Sequence, residues 1–373
     1  LLLNDEQEML RDAAAGFVAQ AAPVSHLRSL RDTDDQTGFS REVWAQFGEM
    51  GLTGALIPEA HGGSDLGHVE AGLVLSEIGR NLSPSPFLQT AVGAVTALKH
   101  AAPDMQAAWL PKIAAGKAVI ALAMDEGRKH RPASIATTAE KDGNGYKLNG
   151  RKTAVPFGHA ADLLIVAART SGAPGDRDGI SLFAVDREAP GLEMTTERLV
   201  DSSLAADITF TDVKVTADAL LGEETATFAT MLMAVRAGAA AEIMGLAEGA
   251  ATSTLDYIRE RKQFGQPVGA FQALQHRAAH LYAEMQVANA ANRKAQFLLD
   301  TEPDQAEGAV AVAKAMAGRT AALAVQEGVQ MHGGVGMTDE YDIGLFMKRH
   351  RALEELFGDA NFHTEEFARM NGY

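Results

Sequence analysis

Residues Tyr146–Gly158, "YKLNGRKTAVPFG", alternate apolar and polar side chains, carry β-branched residues and follow the turn signal "DGNG" at 142–145. That texture predicts a strand. Working outward, "ADLLIVAART" (161–170), "GISLFAVDRE" (179–188) and "ADITFTDVKV" (206–215) repeat it. They are punctuated by "GAPGDRDG" and "APG". Several such runs within about a hundred residues predict a middle β-domain, residues 119–221, built as an antiparallel barrel or sandwich. On both sides the texture is helical. Before it, residues 1–118 are rich in Ala and Leu: Asn4 or Asp5 can cap a helix that puts Met9, Leu10, Ala13, Ala14 and Phe17 on one side. Ser40 caps a second helix with the stripe Val43, Trp44, Phe47 and Met50, and "PEAHGGSD" (58–65) interrupts the pattern. After "ALLGEE" (219–224), residues 222–373 read as long helices broken near "FGQPVG", "TEPD" and "HGGVG". The expected order is therefore an N-terminal α-helical domain, a middle β-domain and a C-terminal four-helix bundle.

Composition narrows the function. A formal net charge of −16 over 373 residues argues against a general affinity for nucleic-acid phosphates or anionic membranes. With no cysteine there is no disulfide, thiolate metal site or cysteine nucleophile, which fits the cytoplasm. "LLLNDEQEML" lacks the basic flank and apolar stretch of a signal peptide. No run reads as the ~20 apolar residues of a membrane helix, so no membrane insertion is expected. His276, His280 and Glu284 share a helix face at i, i+4 and i+8. No third-element ligand is evident, and paired histidines on a helix are more often surface or packing residues, so no metal site is expected.

Four motifs fit one family. "PEAHGGSD" is similar to P-E-x-x-G-G-x-G, and "YKLNGRK" to Y-x-I-N-G-x-K. "RERKQFGQPVGAFQALQHRAA" (259–279) matches E-R-x-x-F-G-x-x-[IL]-x-x-x-Q. "QMHGGVGM" (330–337), with Glu340 and Tyr341, matches Q-x-x-G-G-x-G-[YF]-x-x-E-Y. The chain thus resembles the acyl-CoA dehydrogenase family. "RKQFGQPVGAFQALQHR" and "LFGDA" look most like the small subunits of heteromeric members, the pimeloyl-CoA dehydrogenase type. The resemblance implies α,β-dehydrogenation of an acyl-CoA thioester. A carboxylate takes the α-proton, and the flavin of FAD accepts hydride from the β-carbon. It also implies assembly as a homo-oligomer or with a larger homologous subunit as a heterotetramer, and electron-transfer flavoprotein as a partner.

In the family each FAD is held by two subunits. The half contributed to a neighbour is implied here at Arg261, Phe264, Gln330, Gly333 and Gly334: a phosphate partner, an apolar face, a hydrogen-bonding amide and a close backbone approach. The bland readings are a helix-end cation, a core phenylalanine and a helix stop. The flavin-contacting half aligns with "MDEGRKHR" (124–131) and "KTAVPFG" (152–158). There Met124, His130, Ala154 and Pro156 replace the usual donors and aromatic. The base is missing from both known addresses. The family's glutamate falls on Phe357, or on Gly358 with a shift of one; the alternative address, just before Arg236, is Val235. Asp359 is a weak substitute, read more simply as a turn or cap. Glu354 and Glu355 read as a solvated face, and Glu242 as a partly buried, paired carboxylate. The leading expectation is a small subunit that completes a partner's FAD site. The rivals are a homomeric dehydrogenase with a relocated base, a flavin monooxygenase of the same fold and a non-catalytic assembly subunit.

Overall fold

The computed structural model describes residues 2–222 and 224–373. The first stretch is helical: α1 (Asp5–Ala21), α2 (Val24–Asp32), α3 (Arg41–Glu49), α4 (His68–Arg80), α5 (Val95–Leu98) and α6 (Pro103–Ala114). Asn4 closes a capping box on α1: its side chain accepts from Gln7 N at 2.8 Å while the Gln7 amide receives Asn4 N–H at 3.1 Å. Ser40 caps α3 through Val43 N at 3.2 Å, and Trp44 and Phe47 point inward. The phase expected for α1 needs correction. Its buried residues are Ala14 and Val18, whereas Met9 is 66% exposed. Leu10, Ala14, Phe17 and Val18 share the inward side, and the helix turns Met9 and Ala13 outward because Val18, with its larger apolar side chain, sets the buried row with Ala14. Met50 at the end of α3 is likewise exposed.

Seven strands follow: β1 (Ile120–Ala123), β2 (Thr138–Asp142), β3 (Gly145–Pro156), β4 (Leu163–Arg169), β5 (Ile180–Asp186), β6 (Leu192–Arg198) and β7 (Leu204–Thr216). They form one sheet in the order β1-β4-β2-β3-β7-β6, with β5 also on β4. Every residue of β4 is buried, as expected of a strand covered on both faces. The sheet is not wholly antiparallel: β1 runs parallel to β4 with Ile120 opposite Leu163, and Thr138 of β2 meets Arg169 in parallel register. Leu148, Leu164, Val166, Phe183, Ile208 and Phe210 fill its core.

The last stretch is α7 (Glu224–Glu260), a hairpin of β8 (Lys262–Gln263) and β9 (Gln266–Pro267), then α8 (Gln272–Thr301), α9 (Ala306–His332), α10 (Ile343–Glu355) and α11 (Ala360–Met370). By length and hydropathy the apolar windows of α7 and of Pro303–Met337 could cross a membrane, contrary to the sequence expectation, but they are 78% and 61% buried. Their alanines serve close helix packing instead.

Two compact units result. One comprises Leu1–Ser29, His68–Ser83 and Arg236–Tyr373; the other comprises Leu30–Gly67 and Pro84–Val235. In the first, α4 lies against α7 with almost no side chain between them. A Cβ on Gly79 would stand 2.0 Å from Glu242 O, and one on Gly245 would stand 1.8 Å from Ser76 O. Glycine is required at that crossing.

Candidate functional site

The cofactor residues expected to serve a neighbouring subunit lie at one end of the first unit. Tyr257, near the end of α7, stacks on His332 at the end of α9, with ring centroids 4.3 Å apart and planes at 18°. Its hydroxyl donates to His332 O at 3.2 Å, and Tyr341 packs edge-on against both rings. This clasp fixes two helix ends together. Arg261 follows Tyr257 by one turn, and Gln330, Gly333 and Gly334 flank His332. His332 Nδ1 donates to Gly328 O at 2.7 Å, and burial lowers the imidazole's pKa, so the ring stands neutral.

Arg261, Phe264, Gln330, Gly333 and Gly334 are all exposed. Phe264 is the extreme case, 90% exposed at the tip of the β8–β9 hairpin with φ +52°, followed by Gly265 at φ +82°. Two left-handed residues in a two-residue loop suit the hairpin's twist, and phenylalanine is a costly choice for the first of them. The core reading of Phe264 is therefore excluded. Gly333 does stop α9, with φ +66° and ψ −143°, while Cβ atoms added to Gly333 or Gly334 would meet nothing within 4 Å. The backbone there is open to a close-approaching group. These five residues fit the phosphate-bearing half of FAD.

The flavin-contacting half does not fit. Met124 and His130 are 4% and 6% exposed. His130 Nδ1 donates to the Asp125 carboxylate, 2.9 and 3.1 Å from its two oxygens. Lys152, fully enclosed, donates to Met124 O at 3.0 Å and to Glu126 Oε1 at 2.6 Å. Glu126 also accepts the N–H groups of Ala136 at 2.7 Å and Thr137 at 3.0 Å. Burial would raise the Glu126 carboxyl, but the Lys152 charge and these donors outweigh it and hold the group below its usual range. Ala154 sits at φ +49° where β3 shifts register against β7, and its N–H is committed to Asp207 at 2.9 Å. Pro156 has no N–H to offer. The segment that should present donors to a flavin has turned them on one another.

Neither base address holds a proton acceptor. Val235 is fully buried, and a Cβ on Gly93 would lie 2.7 Å from its Cγ1. Phe357 is 2% exposed at φ +58°, and Gly358 follows at φ +106°. Asp359 caps α11, accepting from Phe362 N at 2.8 Å. Glu242, 4% exposed, pairs with Arg349 at 2.6 Å. Glu354 lies 3.6 Å from His350. Arg236 stacks its guanidinium over Phe362, 5.4 Å from the centroid. His280 and Glu284 form an exposed contact at 3.6 Å. The sequence reading missed the Asp125–His130 and Glu126–Lys152 pairs, and it missed Lys314, buried beside the Phe357 turn. The available signal was Lys314 itself, an ionisable residue in the apolar row Val310, Ala317 and Ala321 of α9.

Comparison with known proteins agrees along the whole chain. Residues 4–117, 122–213 and 225–370 match the acyl-CoA dehydrogenase N-terminal, middle and C-terminal domain families, respectively. Acyl-CoA dehydrogenase FadE12 of Mycobacterium tuberculosis is 30% identical over 360 residues, covering 93% of this chain and 91% of the relative. The acyl-CoA dehydrogenase of Geobacillus kaustophilus superposes with a TM-score of 0.89 at 27% identity, covering 100% of this chain and 99% of that one. A variant of the Tcur3481–Tcur3483 steroid ACAD gives 0.90 at 28% identity, covering 98% and 97%. The chain belongs to the acyl-CoA dehydrogenase family, FAD-binding oxidoreductases that act on CH–CH bonds.

Proposed function

We propose that this chain is the small, non-catalytic subunit of a heteromeric acyl-CoA dehydrogenase, and that it completes the FAD site of a larger homologous partner. One contrast carries the reading. The five residues that would reach a neighbour's FAD are exposed, whereas the groups that would hold a flavin in this chain are tied up in Asp125–His130 and Glu126–Lys152. A homomeric enzyme has to lose flavin contacts and both base positions while keeping the other half. A subunit serving a partner loses only what it does not use. The two-chain designation of the similar Tcur3481–Tcur3483 steroid ACAD supports the heteromeric arrangement.

In this assembly Arg261 binds a phosphate of the partner's FAD through a charge-assisted bond, Phe264 covers an apolar face of it, and Gln330 donates or accepts at its edge. Gly333 and Gly334 admit the pyrophosphate against the backbone. FAD, when bound, would supply the acceptor for hydride from the acyl β-carbon, and the glutamate that takes the α-proton would come from the partner. Electron-transfer flavoprotein is the proposed acceptor, an acyl-CoA the substrate and the cytoplasm the compartment. We also take residues 1–118, 119–221 and 222–373 as the three domains, since α6 ends at Ala114, β1 starts at Ile120 and α7 starts at Glu224.

The test is to purify the chain alone and together with its genomically adjacent homologue, then read flavin absorbance per chain. The expected result is little flavin alone and stoichiometric flavin in the complex. One FAD per chain in the isolated protein would overturn the reading and restore the homomeric enzyme.

A further inference from the structure

Lys314 of α9 has no exposed surface. Its Nζ donates to two backbone carbonyls, Glu354 O at 2.9 Å and Gly358 O at 2.8 Å. Among the described residues these are its hydrogen bonds, and no carboxylate lies within ion-pair distance of it. Glu354 turns its carboxylate instead toward His350 at 3.6 Å and Arg351 at 3.9 Å, and Asp359 spends an oxygen on Phe362 N. An ammonium carries three N–H donors, whereas an uncharged amine carries two. Two carbonyl acceptors around an amine with no exposed surface match the two donors of the uncharged form.

Those two carbonyls frame the turn from Glu355 to Asp359, where Phe357 and Gly358 both hold left-handed backbone. The same turn is gripped from α11, because His363 Nε2 lies 3.0 Å from Phe357 O. Gly358 takes its positive φ freely, but a non-glycine residue such as Phe357 holds one only where its surroundings impose it. Lys314 supplies two of the bonds that do so.

We propose that Lys314 is a protonation-dependent latch on the turn between α10 and α11. The latch is closed while the amine is uncharged and bonded to Glu354 O and Gly358 O, and it loosens when the amine takes up a proton. The inference stands on this geometry together with the lysine's burial and does not depend on the FAD reading. The charged and titratable groups around the amine are Arg236 on α7, His350, Arg351, Glu354 and Glu355 on α10, and Asp359 with His363 beyond the turn. Burial pulls the lysine down from 10.5 to about 7, with Glu354 opposing and Arg236 assisting, and Asp359 and Glu355 opposing more weakly.

The sign follows. Between about 7 and 10.5 the opened chain holds a proton that the closed chain lacks, so closure strengthens as pH rises through that window. His350 acts in a different range. Burial lowers it below its ordinary 6.5, so its contribution is lost only as pH falls below that value.

The experiment is hydrogen–deuterium exchange by mass spectrometry on the full chain, reading peptides across residues 353–364 from pH 6 to 9, corrected for intrinsic exchange. In the wild type, opening should become rarer by about fivefold from pH 7 to 8 and about tenfold from 8 to 9. Lys314→Gln keeps two N–H donors on an amide that does not titrate, so its protection should be flat above pH 7. Lys314→Met should be flat and less protected throughout. A flat wild-type profile, or the same slope in Lys314→Gln as in wild type, would overturn the proposal. Should neither variant fold, the wild-type profile decides alone: a slope confined below pH 6.5 belongs to histidine and sinks the latch.

Discussion

The Glu242–Arg349 pair offers a sharp test of how the first unit is held together. Glu242 on α7 has a side chain 5% exposed, and Arg349 on α10 has one 24% exposed, with N···O at 2.6 Å. Removing either partner leaves the other charge behind, and the two remainders are unequal. Arg349→Met strands a carboxylate with almost no access to water, which costs ~3–5 kcal/mol. Glu242→Met leaves a guanidinium that already reaches solvent, so the loss is discounted for screening to about 1–2 kcal/mol. The double variant replaces the pair with apolar side chains and should return to within ~1 kcal/mol of wild type. Thermal unfolding would read the series. At roughly 2–4 °C per kcal/mol for a unit of this size, Arg349→Met should lower Tm by about 6–20 °C, and the double variant should recover most of it. If Glu242→Met costs as much as Arg349→Met and the two losses simply add, the pair is uncoupled and the electrostatic account of this crossing fails. The same series bears on the missing base. Glu242→Met should leave acyl-CoA-dependent turnover of the assembled enzyme unchanged at temperatures where it stays folded, because the carboxylate is committed to Arg349.

Gly333→Ala forces a side chain into φ +66°, ψ −143° and should destabilise the chain by ~1–3 kcal/mol by thermal melt, whereas Gly334→Ala, with open space around its Cβ, should leave stability alone and weaken flavin retention in the complex. Gly79→Ala and Gly245→Ala each drive a Cβ to about 2 Å or less from a facing carbonyl, so both should yield little soluble protein by size-exclusion chromatography. Asp359→Ala should cost about 1 kcal/mol as a lost cap, and Asp359→Asn nearly nothing, with turnover of the complex retained in both. Arg261→Ala should leave the melt of the isolated chain unchanged but weaken FAD binding in the complex by roughly one to two powers of ten, since a charge-assisted bond contributes ~1.5–3 kcal/mol.

What could be read from the sequence was what depends on neighbours along the chain. The caps at Asn4 and Ser40 need only the next three residues, and both form. The strands β3, β4, β5 and β7 announce themselves by β-branched runs between glycine turns. By contrast β1 is the four residues "IALA", whose identity as a strand comes only from lying parallel to β4. The motif residues Arg261 and Gly333 were findable, but their exposure was not, because it depends on which face of the bundle the Tyr257–His332 clasp leaves bare. The substitutions at Met124 and His130 were legible as losses. That the loss is sealed by Asp125–His130 and by Glu126–Lys152, the latter spanning 26 residues of sequence, required the fold. Phe264 carried two readings in the sequence, an apolar face for a cofactor and a core side chain, and only the hairpin, which puts it in water, excludes the second.

The Phe357 turn balances backbone strain against side-chain burial. A non-glycine residue in left-handed backbone costs roughly 1–2 kcal/mol, and this turn carries one at φ +58°. Burying a phenylalanine side chain returns ~1.5–3 kcal/mol, so at 2% exposure Phe357 offsets the strain it creates. A glutamate at the same position would gain none of that burial energy and would add the cost of desolvating a charge. Phenylalanine is thus the locally stable choice on a backbone shaped by Lys314, His363 and the Asp359 cap. It follows that the vacancy is one of side-chain chemistry and not of backbone geometry. Phe357→Glu should retain the turn's hydrogen-exchange pattern while lowering Tm, by several degrees at ~2–4 °C per kcal/mol. A variant that melts no earlier than wild type would show that Phe357 burial contributes nothing there, and the balance argued for this turn would be wrong.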